Sequence, residues 1–486
     1  MSNRVRPTSL RSRVMDAAEA VERFVPERGS IAFSCMGGSS LAKEVPDALG
    51  RAAASGRGFN LTLLTGGATT ERFERAIAPV GIRRRFPYLS GPARKGVNDG
   101  RVEFFDPRIG EVPEFVRRGI FTGGKPIDVS VIEATAIGER GHVIPSLSLD
   151  ALPAFVEASR HVIIEVNERK PDLTGLHDVY RVRPGVPIPI RGVRDRVGTP
   201  YVTVPPSKIA AIVITDRKEE ASAAYSGTVP ADRQIADAVA GFLEADLKSG
   251  DAGRFALQLG AGPLAAALLD ALPFRDLDIW TEGIPARWAE AVGDRVRGIS
   301  TTAMYLLPGD EGVLDEVFAR IEAVRKRIVL RPYDVSNSLE VIARLNLITV
   351  QQALEVDLFG GANTSHIGSA IHNGVGGSPD FDRAARLVVV AMPSTAGGGR
   401  FSRIVPFASS PDIPRQDVDV LITDQGCADL RGKSARERAE AIIDRCSHPA
   451  FRDRLWEYYR VARAKGGHLP IDWEAAARFR DGDERR

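Results

Sequence analysis

The segment Phe255-Ala-Leu-Gln-Leu-Gly-Ala-Gly-Pro263 places a short apolar run directly before a glycine turn and a proline. A short apolar run bounded by glycine indicates a buried strand, and proline is favoured at the first position of a helix. The sequence therefore predicts a strand at Phe255–Leu259 and a helix at Pro263–Leu272. Phe33-Ser-Cys-Met-Gly-Gly38, followed by Leu41–Leu49, has the same order. This indicates either a duplicated unit or a shared strand-turn-helix motif.

Similar apolar runs recur along the whole chain and predict further strands. They are Ile31–Cys35, Asn60–Leu64, Asp128–Ile132, Val162–Val166, Ile209–Ile214, Leu277–Trp280, Ile328–Leu330, Leu387–Ala391 and Val418–Thr423. Continuous apolar strands that alternate with helices are typical of parallel sheets covered on both faces. We therefore expect an α/β protein with two open α/β domains, mainly parallel sheets and an active site between the domains.

The length and one polar segment predict where the domains divide. At 486 residues the chain exceeds the size at which a single hydrophobic core keeps growing. The segment Asp216–Asp232 is rich in Lys, Glu, Ser and Ala, and helical spacing resumes at Gln234–Leu247. We expect an N-terminal domain at 1–215, a linker at 216–232 and a C-terminal domain at 233–486.

The composition argues against several classes of function. The formal net charge is only +2, and basic residues are interspersed with acids, as in Ala435–Glu440, which indicates a solvated helix face and no nucleic-acid partner. No stretch approaches the roughly 20 apolar residues of a membrane span, and the N-terminus lacks an apolar signal core. Cys35, Cys427 and Cys446 lack the spacing of a zinc site or disulfide framework. We expect a cytoplasmic protein without membrane attachment or bound metal.

The residues alone leave the chemistry open. Glycine clusters let backbone N–H groups approach an anion closely, but tight turns explain most isolated cases, and no Walker A or Rossmann fingerprint is present. These clusters are Gly260–Gly262, Gly360–Gly361, Gly374–Gly377 and Gly397–Gly399. Glu282 follows a predicted strand, where open α/β sheets place their ligands. Its carboxylate is a candidate nucleophile, although an acid at the end of a strand is more often a helix cap or a solvated loop residue.

Longer motifs carry the interpretation further. Trp280-Thr-Glu-Gly283 resembles the segment that carries the catalytic glutamate in acetyl-CoA hydrolases/transferases, including succinyl-CoA:acetate and, more distantly, 4-hydroxybutyrate CoA-transferases. The resemblance extends in order over Pro145–Ser148, Glu165–Asn167, His177–Tyr180, Val193–Tyr201, Leu257–Gly262, Arg331–Asn337, Asn373–Phe381, Pro393–Ala396, Ser402–Pro406 and Asp424–Gly432. It covers nearly the whole chain and implies a CoA-transferase-like fold.

The resemblance implies a mechanism and a set of site residues. Glu282 would attack an acyl-CoA thioester and become a glutamyl-CoA thioester, with coenzyme A as substrate and neither a permanently bound cofactor nor a metal. Glu282, Asn337 and Gly377 are the expected catalytic residues, Asn337 and the backbone N–H groups of Ala261 and Gly377 being oxyanion donors. Expected contacts to substrate or CoA are Gly260, Ala261, Gly262, Asn373, Gly376, Gly377, Gly397, Arg400 and Asp424. The family also implies a homodimer.

Two departures from the family pattern leave the substrate open. Asp424 stands where related transferases have glutamate, and Gly397 stands where many have a lysine, whose charge Arg400 would then supply. The first hypothesis is acyl-CoA:carboxylate CoA transfer with a short carboxylate acceptor. Acetyl-CoA hydrolysis with the same glutamate is the enzymatic alternative. A CoA-binding protein without catalytic activity is the third, motivated by the two departures.

Overall fold

The computed structural model describes residues 3–89, 91–222, 231–249, 253–260, 263–289, 295–310 and 312–484. The chain forms two compact units. The first contains residues 1–226 and 275–345, and the second contains residues 227–274 and 346–486. Each unit is described separately.

The first unit is built on a mainly parallel sheet. Across this sheet the parallel strands follow the order Ile82–Phe86, Asn60–Thr65, Arg28–Phe33, Ile127–Ile137, Ser159–Asn167 and Ile209–Thr215. Glu103–Phe104 pairs in parallel with Ile82–Phe86 at one edge of the sheet. His142–Pro145 pairs antiparallel with Ile127–Ile137, and Val202–Thr203 pairs antiparallel with His142–Pro145. Ile31 lies opposite both Leu63 and Val129. The central strands Ile127–Ile137 and Ser159–Asn167 are mostly buried because both faces of the sheet are covered, whereas Ile82–Phe86, nearer the edge, carries exposed arginines.

Helices cover this sheet, and Ala17–Phe24 and Glu71–Ile77 begin at side-chain caps. The helices are Ala17–Phe24, Glu44–Ala54, Glu71–Ile77, Gly91–Asn98, Val112–Arg117 and Leu152–Ala158, with 3-10 turns at Thr8–Arg13, Ile109–Glu111, Ile120–Thr122 and Pro206–Lys208. The side chain of Asp16 accepts a hydrogen bond from Glu19 N, and that of Thr70 accepts one from Phe73 N, which satisfies exposed donors at each helix start. The buried side chain of Phe73 then packs into the core beneath the sheet.

Residues 275–345 fold as part of the first unit. Their strands Leu277–Trp280, Val296–Thr301 and Ile328–Leu330 are parallel, and Gly283–Pro285 pairs in parallel with Ala303–Tyr305. Their helices are Val313–Ala319, Ile321–Val324, Tyr333–Ser336 and Leu339–Arg344, with a 3-10 turn at Ala286–Ala289. Backbone hydrogen bonds tie this segment to the loop that follows the strand His142–Pro145: Leu149 N donates to Thr302 O at 3.0 Å, and Met304 N donates to Leu147 O at 2.9 Å. This grouping differs from the consecutive domains predicted from sequence, because these long-range bonds have no local sequence signal.

The second unit has its own parallel strands in the order Leu257–Leu259, Ile348–Gln351, Leu387–Ala391 and Val420–Thr423, with Gly426–Asp429 antiparallel at the edge. Short pairings are formed by Glu355–Asp357, Ala362–Asn363, His366–Ile367, Ala370–Ile371, Thr395–Ala396, Phe401–Ser402 and Ile404–Val405. The helices are Ala231–Ser249, Pro263–Ala271, Ser378–Asp382, Ala435–Cys446, Pro449–Ala464 and Trp473–Glu484. The predicted capping box at Ser434 and Glu437 is present.

The α/β class with mainly parallel sheets is confirmed, and each predicted strand is present. The predicted Asp128–Ile132 is the first part of a longer strand, Ile127–Ile137, and the other strand ends differ by up to three residues. The predicted linker 216–232 is too long, because Ala231 and Asp232 already belong to the helix Ala231–Ser249; residues 223–230 lie outside the described part of the chain. In the described residues, no helix is both long and apolar enough to cross a membrane.

Candidate active site

Glu282 lies between the buried strands Leu277–Trp280 and Gly283–Pro285, separated from the first by Thr281. Its backbone is held by the neighbouring chain: Thr281 N donates to Ser300 O at 3.0 Å, and the Glu282 carbonyl accepts hydrogen bonds from Thr302 N at 3.0 Å and Ala303 N at 3.3 Å. The side chain of Trp280 is fully buried, whereas Glu282 is only half-buried. A rigid strand end therefore presents a carboxylate that a small substrate can reach.

Asn337 is the side chain that faces this carboxylate. Asn337 ends the helix Tyr333–Ser336, and its Nδ2 donates a hydrogen bond to Glu282 Oε1 at 2.9 Å. Only 5% of Asn337 is exposed. The structure therefore brings together two of the three predicted catalytic residues within the first unit, as a buried amide donor on a partly accessible carboxylate.

The helix that carries Asn337 is fixed from two sides. Tyr333 N donates to Asp150 O at 3.0 Å, and Arg117 Nη1 lies 2.9 Å from Asp334 Oδ2 in an ion pair. Burial raises the pKa of Asp334, and Arg117 opposes that rise. Because these contacts hold the helix at both its backbone and its side chains, the amide of Asn337 has little freedom to move away from Glu282.

Tyr88 also belongs to the surroundings of Glu282, although no sequence pattern singled it out. Burial raises the pKa of Tyr88 to about 12, the negative charge of Glu282 acts in the same direction, and Arg94 opposes it. Tyr88 packs against the apolar cluster that contains Met36, Ala303 and Tyr333. Its phenol therefore stays neutral and remains available as a hydrogen-bond donor near the carboxylate.

In the second unit, two predicted glycines meet at the strand Ile348–Gln351. Gly260 N donates to Val350 O at 3.1 Å. Gly377 precedes the helix Ser378–Asp382, and Ser378 Oγ donates to Gln351 Oε1 at 3.1 Å. The two glycine turns thus lie at the end of one strand. Ala261 and Gly262 lie outside the described residues.

The side chain of Asp382 binds two residues of the strand Ile348–Gln351. Its Oδ1 accepts hydrogen bonds from Thr349 Oγ1 at 2.8 Å and from Gln351 Nε2 at 3.0 Å. Burial raises the pKa of Asp382 to about 7, although these two hydrogen bonds favour the ionised form. Oδ2 is buried without a hydrogen-bond partner among the described residues, which is consistent with a carboxyl group that is readily protonated.

The other predicted glycines occupy loops. Gly376 has φ of +73°, a left-handed conformation that favours glycine. Asn373 is half-buried and its N–H donates to Ser365 O at 3.2 Å. Gly397 to Arg400 form the exposed turn between the antiparallel strands Thr395–Ala396 and Phe401–Ser402.

Asp424 is held tightly at the end of the strand Val420–Thr423. Its carboxylate accepts hydrogen bonds from Ser394 N at 2.5 Å, Ser394 Oγ at 3.1 Å and Gln425 Nε2 at 2.6 Å. Partial burial favours the neutral form, but these donors outweigh it and lower the pKa of Asp424. Asp424 therefore presents a fixed negative charge, joined to the Pro393–Ala396 segment.

Comparison with known proteins gives the relationship directly. Residues 1–214 match the acetyl-CoA hydrolase/transferase N-terminal domain, and residues 314–459 match the acetyl-CoA hydrolase/transferase C-terminal domain. The chain is 36% identical to the succinyl-CoA:acetate CoA-transferase of Clostridium kluyveri, over 97% of this chain and 89% of that protein. The chain belongs to the acetyl-CoA hydrolase/transferase family.

Other members of the acetyl-CoA hydrolase/transferase family differ in activity. The chain is 32% identical to an acetyl-CoA hydrolase of Schizosaccharomyces pombe, over 97% of this chain and 95% of that protein. RipA from Yersinia pestis has a similar structure, with a TM-score of 0.72 and 20% identity over 93% of this chain and 98% of RipA, a likeness that bears on the fold alone. Family membership confirms the resemblance and identifies this chain as an enzyme, which argues against the reading without catalysis.

The two departures from the family pattern have definite structural settings. Arg400 Nε donates to Gly397 O at 2.9 Å and its guanidinium lies 5.3 Å from the centre of the Phe401 ring, so Arg400 folds back over its own turn. Asp424 is shorter than glutamate but keeps its hydrogen bonds to Ser394. In the described residues, no group of three or more His, Cys, Asp and Glu side chains forms a metal site.

Proposed function

We propose that this chain is an acyl-CoA:carboxylate CoA-transferase that works by a ping-pong mechanism through Glu282. One observation carries the proposal: a half-buried glutamate at the end of a buried strand accepts a hydrogen bond from a buried amide, Asn337 Nδ2 to Glu282 Oε1 at 2.9 Å. This arrangement suits a carboxylate nucleophile, because the donor can stabilise negative charge on an oxygen of that carboxylate without displacing the oxygen that attacks.

The proposed reaction exchanges one thioester for another. An oxygen of Glu282 attacks the acyl-CoA carbonyl, the C–S bond breaks, and an acyl-glutamyl anhydride and CoA thiolate result. The thiolate attacks the glutamyl carbonyl and releases the first carboxylate, which leaves a glutamyl-CoA thioester. A second carboxylate attacks this thioester, and the released thiolate then attacks the new acyl carbonyl. The products are a new acyl-CoA and the free Glu282 carboxylate, so no ATP is consumed.

Each of these steps passes through a tetrahedral oxyanion. Asn337 Nδ2 is the proposed donor for the oxyanion formed on the glutamyl carbon, since it already contacts Oε1. The backbone N–H groups of Ala261 and Gly377 are proposed, from the family resemblance, as further donors. The loss of one such donor typically reduces kcat by about 10²–10³-fold.

Binding of the CoA part is proposed for the loops of the second unit. Gly260, Gly262, Asn373, Gly376 and Gly377 are the proposed contacts from the family resemblance, since a glycine backbone lets a substrate approach closely. Arg400 and Gly397 on the exposed turn, and the carboxylate of Asp424, would complete the contacts. Coenzyme A enters as a substrate, and the mechanism requires no permanently bound cofactor or metal.

Hydrolysis of acetyl-CoA is the second candidate, favoured by the 32% identity to the Schizosaccharomyces pombe acetyl-CoA hydrolase. In that reaction water takes the place of the second carboxylate at the anhydride or the thioester. Both activities need the same nucleophile. They differ only in whether a carboxylate or water reaches the activated carbonyl.

The test is to trap the covalent intermediate. Purified protein is incubated with acetyl-CoA or succinyl-CoA without an acceptor and analysed by intact-mass and peptide mass spectrometry, with borohydride reduction of the thioester in parallel. We expect CoA attached at Glu282, discharged by acetate or succinate and absent in Glu282→Ala. If CoA binds but no adduct forms in the wild-type protein, the nucleophile assignment is wrong.

The same preparation separates transfer from hydrolysis. Release of free CoA from acetyl-CoA is measured with and without propionate or succinate, while formation of propionyl-CoA or succinyl-CoA is followed by chromatography. A transferase produces new acyl-CoA in proportion to acceptor, whereas a hydrolase releases CoA at a rate that the acceptor does not raise. Light scattering of the same protein tests the homodimer that the family implies.

A further inference from the structure

A chain of buried hydroxyl groups leads to the amide of Asn337. Thr302 Oγ1 donates a hydrogen bond to Ser336 Oγ at 2.9 Å, and Ser336 Oγ donates to Asn337 Oδ1 at 2.6 Å. Asn337 Nδ2 then donates to Glu282 Oε1 at 2.9 Å. Thr302 is fully buried and Ser336 is 1% exposed. All four residues lie in the first unit.

Hydrogen bonds to their backbone groups hold Ser336 and Thr302 in place. The Trp280 indole N–H donates to the Ser336 carbonyl at 2.7 Å, and Thr302 N donates to the Glu282 carbonyl at 3.0 Å. Trp280 and Thr302 are both fully buried. The backbones of Ser336 and Thr302 are therefore bound to Trp280 and to Glu282 itself, which ties the hydroxyl chain to the segment that carries the nucleophile.

The direction of the chain follows from the chemistry of its last member. A carboxylate only accepts hydrogen bonds, so the NH₂ group of Asn337 faces Glu282 and the carbonyl oxygen of the amide faces Ser336. That oxygen needs a donor, which Ser336 supplies. The oxygen of Ser336 is then left to accept from Thr302. Any reversal of the amide would place Oδ1 against the carboxylate oxygen and leave two acceptors in contact.

This direction does not need to change during the proposed reaction. Oε1 of Glu282 is an acceptor as a carboxylate, as the carbonyl of the anhydride, as an oxyanion and as the carbonyl of the thioester. A donor that is already oriented toward the position where charge develops costs no reorganisation in the transition state. Without the two hydroxyls, the amide would have to be oriented at each step.

We propose that Thr302 and Ser336 are positioning residues that hold the amide of Asn337 as a permanent donor to Glu282. Neither hydroxyl contacts Glu282 by its side chain; both act through Asn337. The inference rests on the proposed function, since it assigns a role relative to the nucleophilic glutamate. It adds two residues whose hydroxyl groups control the rate of the covalent step and leave the binding of CoA unchanged.

The first experiment measures single-turnover formation of the Glu282–CoA adduct in Ser336→Ala. We expect the rate to fall roughly tenfold to fiftyfold, which is less than the loss of the donor itself. The KM for acyl-CoA should stay within about twofold of the wild-type value, because Ser336 acts on the amide of Asn337 and is not a proposed contact to CoA. Equal losses in kcat and affinity would indicate a general structural defect and overturn the proposal.

The second experiment compares three threonine variants. Thr302→Val removes the first donor of the chain and should slow adduct formation about fivefold to tenfold, whereas Thr302→Ser keeps the hydroxyl and should recover most of the rate. Thr301→Val is the matched control, since Thr301 is equally buried and its hydroxyl donates to the Ala303 carbonyl at 3.2 Å and not to the hydroxyl chain. Equal slowing in Thr301→Val and Thr302→Val would contradict a specific role.

A double-mutant cycle separates positioning from structure. If Ser336 acts only through Asn337, then Ser336→Ala should have no further effect in an Asn337→Ala background, so the double variant equals Asn337→Ala alone. Additive losses would overturn the proposal. Thermal unfolding of every variant accompanies the kinetics, and Thr302→Ser keeps the test decisive if Ser336→Ala does not fold.

The outcomes distinguish this inference from the proposed function. Wild-type adduct at Glu282 together with a wild-type rate in Ser336→Ala would overturn the positioning role and leave the transferase mechanism intact. Absence of the adduct in the wild-type protein would overturn both. Adduct formation that is slowed in Ser336→Ala and Thr302→Val, restored in Thr302→Ser and unaffected in Thr301→Val supports the proposal.

Discussion

The candidate residues of the first unit differ from those of the second in the kind of contacts that hold them. Around Glu282 the contacts are made by buried side chains, with Asn337 held at 2.9 Å and no exposed group in the hydroxyl chain behind it. In the second unit most candidates lie in loops and glycine turns, with Gly397 and Arg400 on the surface of a hairpin turn. Asp424 differs from these, since Ser394 and Gln425 donate hydrogen bonds to its side chain. A buried side-chain network is sensitive to the loss of one atom, whereas a backbone turn tolerates changes that keep its shape.

This difference predicts how substitutions divide. Changes near Glu282 should lower the rate of the chemical step and leave affinity for CoA nearly unchanged, because the interactions there concern charge that develops in the transition state. Changes in the exposed turn should weaken affinity and leave the chemical step nearly unchanged. If changes near Glu282 mainly weakened the affinity for CoA, and changes in the exposed turn mainly slowed the chemical step, the proposed difference between the two units would be wrong.

The largest effect is expected for Glu282→Gln. The amide keeps the shape of the side chain but is a very poor nucleophile, so no glutamyl thioester can form and kcat should fall by about 10⁴-fold or more. Transfer of CoA from succinyl-CoA to acetate, followed by chromatography, measures this loss. Binding of CoA, measured by calorimetry, should be preserved, and a substantial residual transfer rate would show that another group is the nucleophile.

The next effect in size is expected for Asn337→Ala, which removes the donor at 2.9 Å from Glu282 Oε1. We expect kcat to fall about 10²–10³-fold with little change in the KM for acyl-CoA. Asn337→Asp is a sharper comparison, because it places a second acceptor beside the carboxylate and should be at least as damaging. A decrease confined to KM would show that Asn337 binds substrate and does not stabilise the transition state.

Much of the fold could be predicted from sequence because the strands are apolar and fully buried. Leu277–Trp280, Ile328–Leu330 and Leu387–Ala391 have the predicted bounds. The short pairing of Thr395–Ala396 with Phe401–Ser402 was not predicted, since two-residue strands have no periodicity to detect. The place of residues 275–345 in the first unit was missed for another reason: it depends on contacts between residues far apart in the chain.

The candidate site could be predicted only in part. Glu282 and Asn337 were found through long motifs, and the residues around them gave only a carboxylate after a strand. Tyr88 and Thr302 belong to no motif, because an isolated Tyr or Thr is as common in a core as in an active site. Their roles depend on which strand ends lie side by side, and that information is contained in the three-dimensional contacts alone.

A third prediction concerns pH and stability in the second unit. Burial raises the pKa of Asp382 to about 7, so the folded protein binds a proton between about pH 4 and pH 7 that the unfolded chain releases. The stabilisation of the folded protein that comes from binding this proton is present at the acidic end of that window, and it is lost as pH rises through 7. In Asp382→Asn this loss should be absent.

The measurement is urea unfolding at pH 5 and pH 8. At each pH, the free energy of unfolding of the wild-type protein is subtracted from that of Asp382→Asn. We expect this difference to increase by about 2 kcal/mol from pH 5 to pH 8. Asp453→Asn, which changes an exposed carboxylate on the helix Pro449–Ala464, is the control and should show no such change. An identical pH dependence in Asp382→Asn and the wild-type protein would contradict the raised pKa.

A smaller effect is expected for Arg400→Gln in the exposed turn. If Arg400 supplies the charge that contacts CoA, the KM for acyl-CoA should rise about fivefold with kcat unchanged, because an exposed ionic contact contributes little. The increase should shrink at high salt, since screening weakens the same contact in the wild-type enzyme. Arg436→Gln, which changes another exposed arginine of the second unit, is the control. A fall in kcat would show that Arg400 takes part in the chemical step, which would contradict the proposed difference between the two units.

The smallest effect is expected for Asp424→Glu, which restores the residue of the related transferases. The added methylene cannot keep all of the hydrogen bonds that Ser394 and Gln425 donate to Asp424 at their present lengths, so the carboxylate must shift. We expect a change of about twofold to threefold in the ratio of kcat/KM values for acetate and succinate, and no change in the rate of adduct formation from acetyl-CoA. Competition of the two acceptors in one reaction measures this ratio directly. An effect on adduct formation instead would show that Asp424 takes part in the chemical step, and the difference between a sensitive first unit and a tolerant second unit would then not hold.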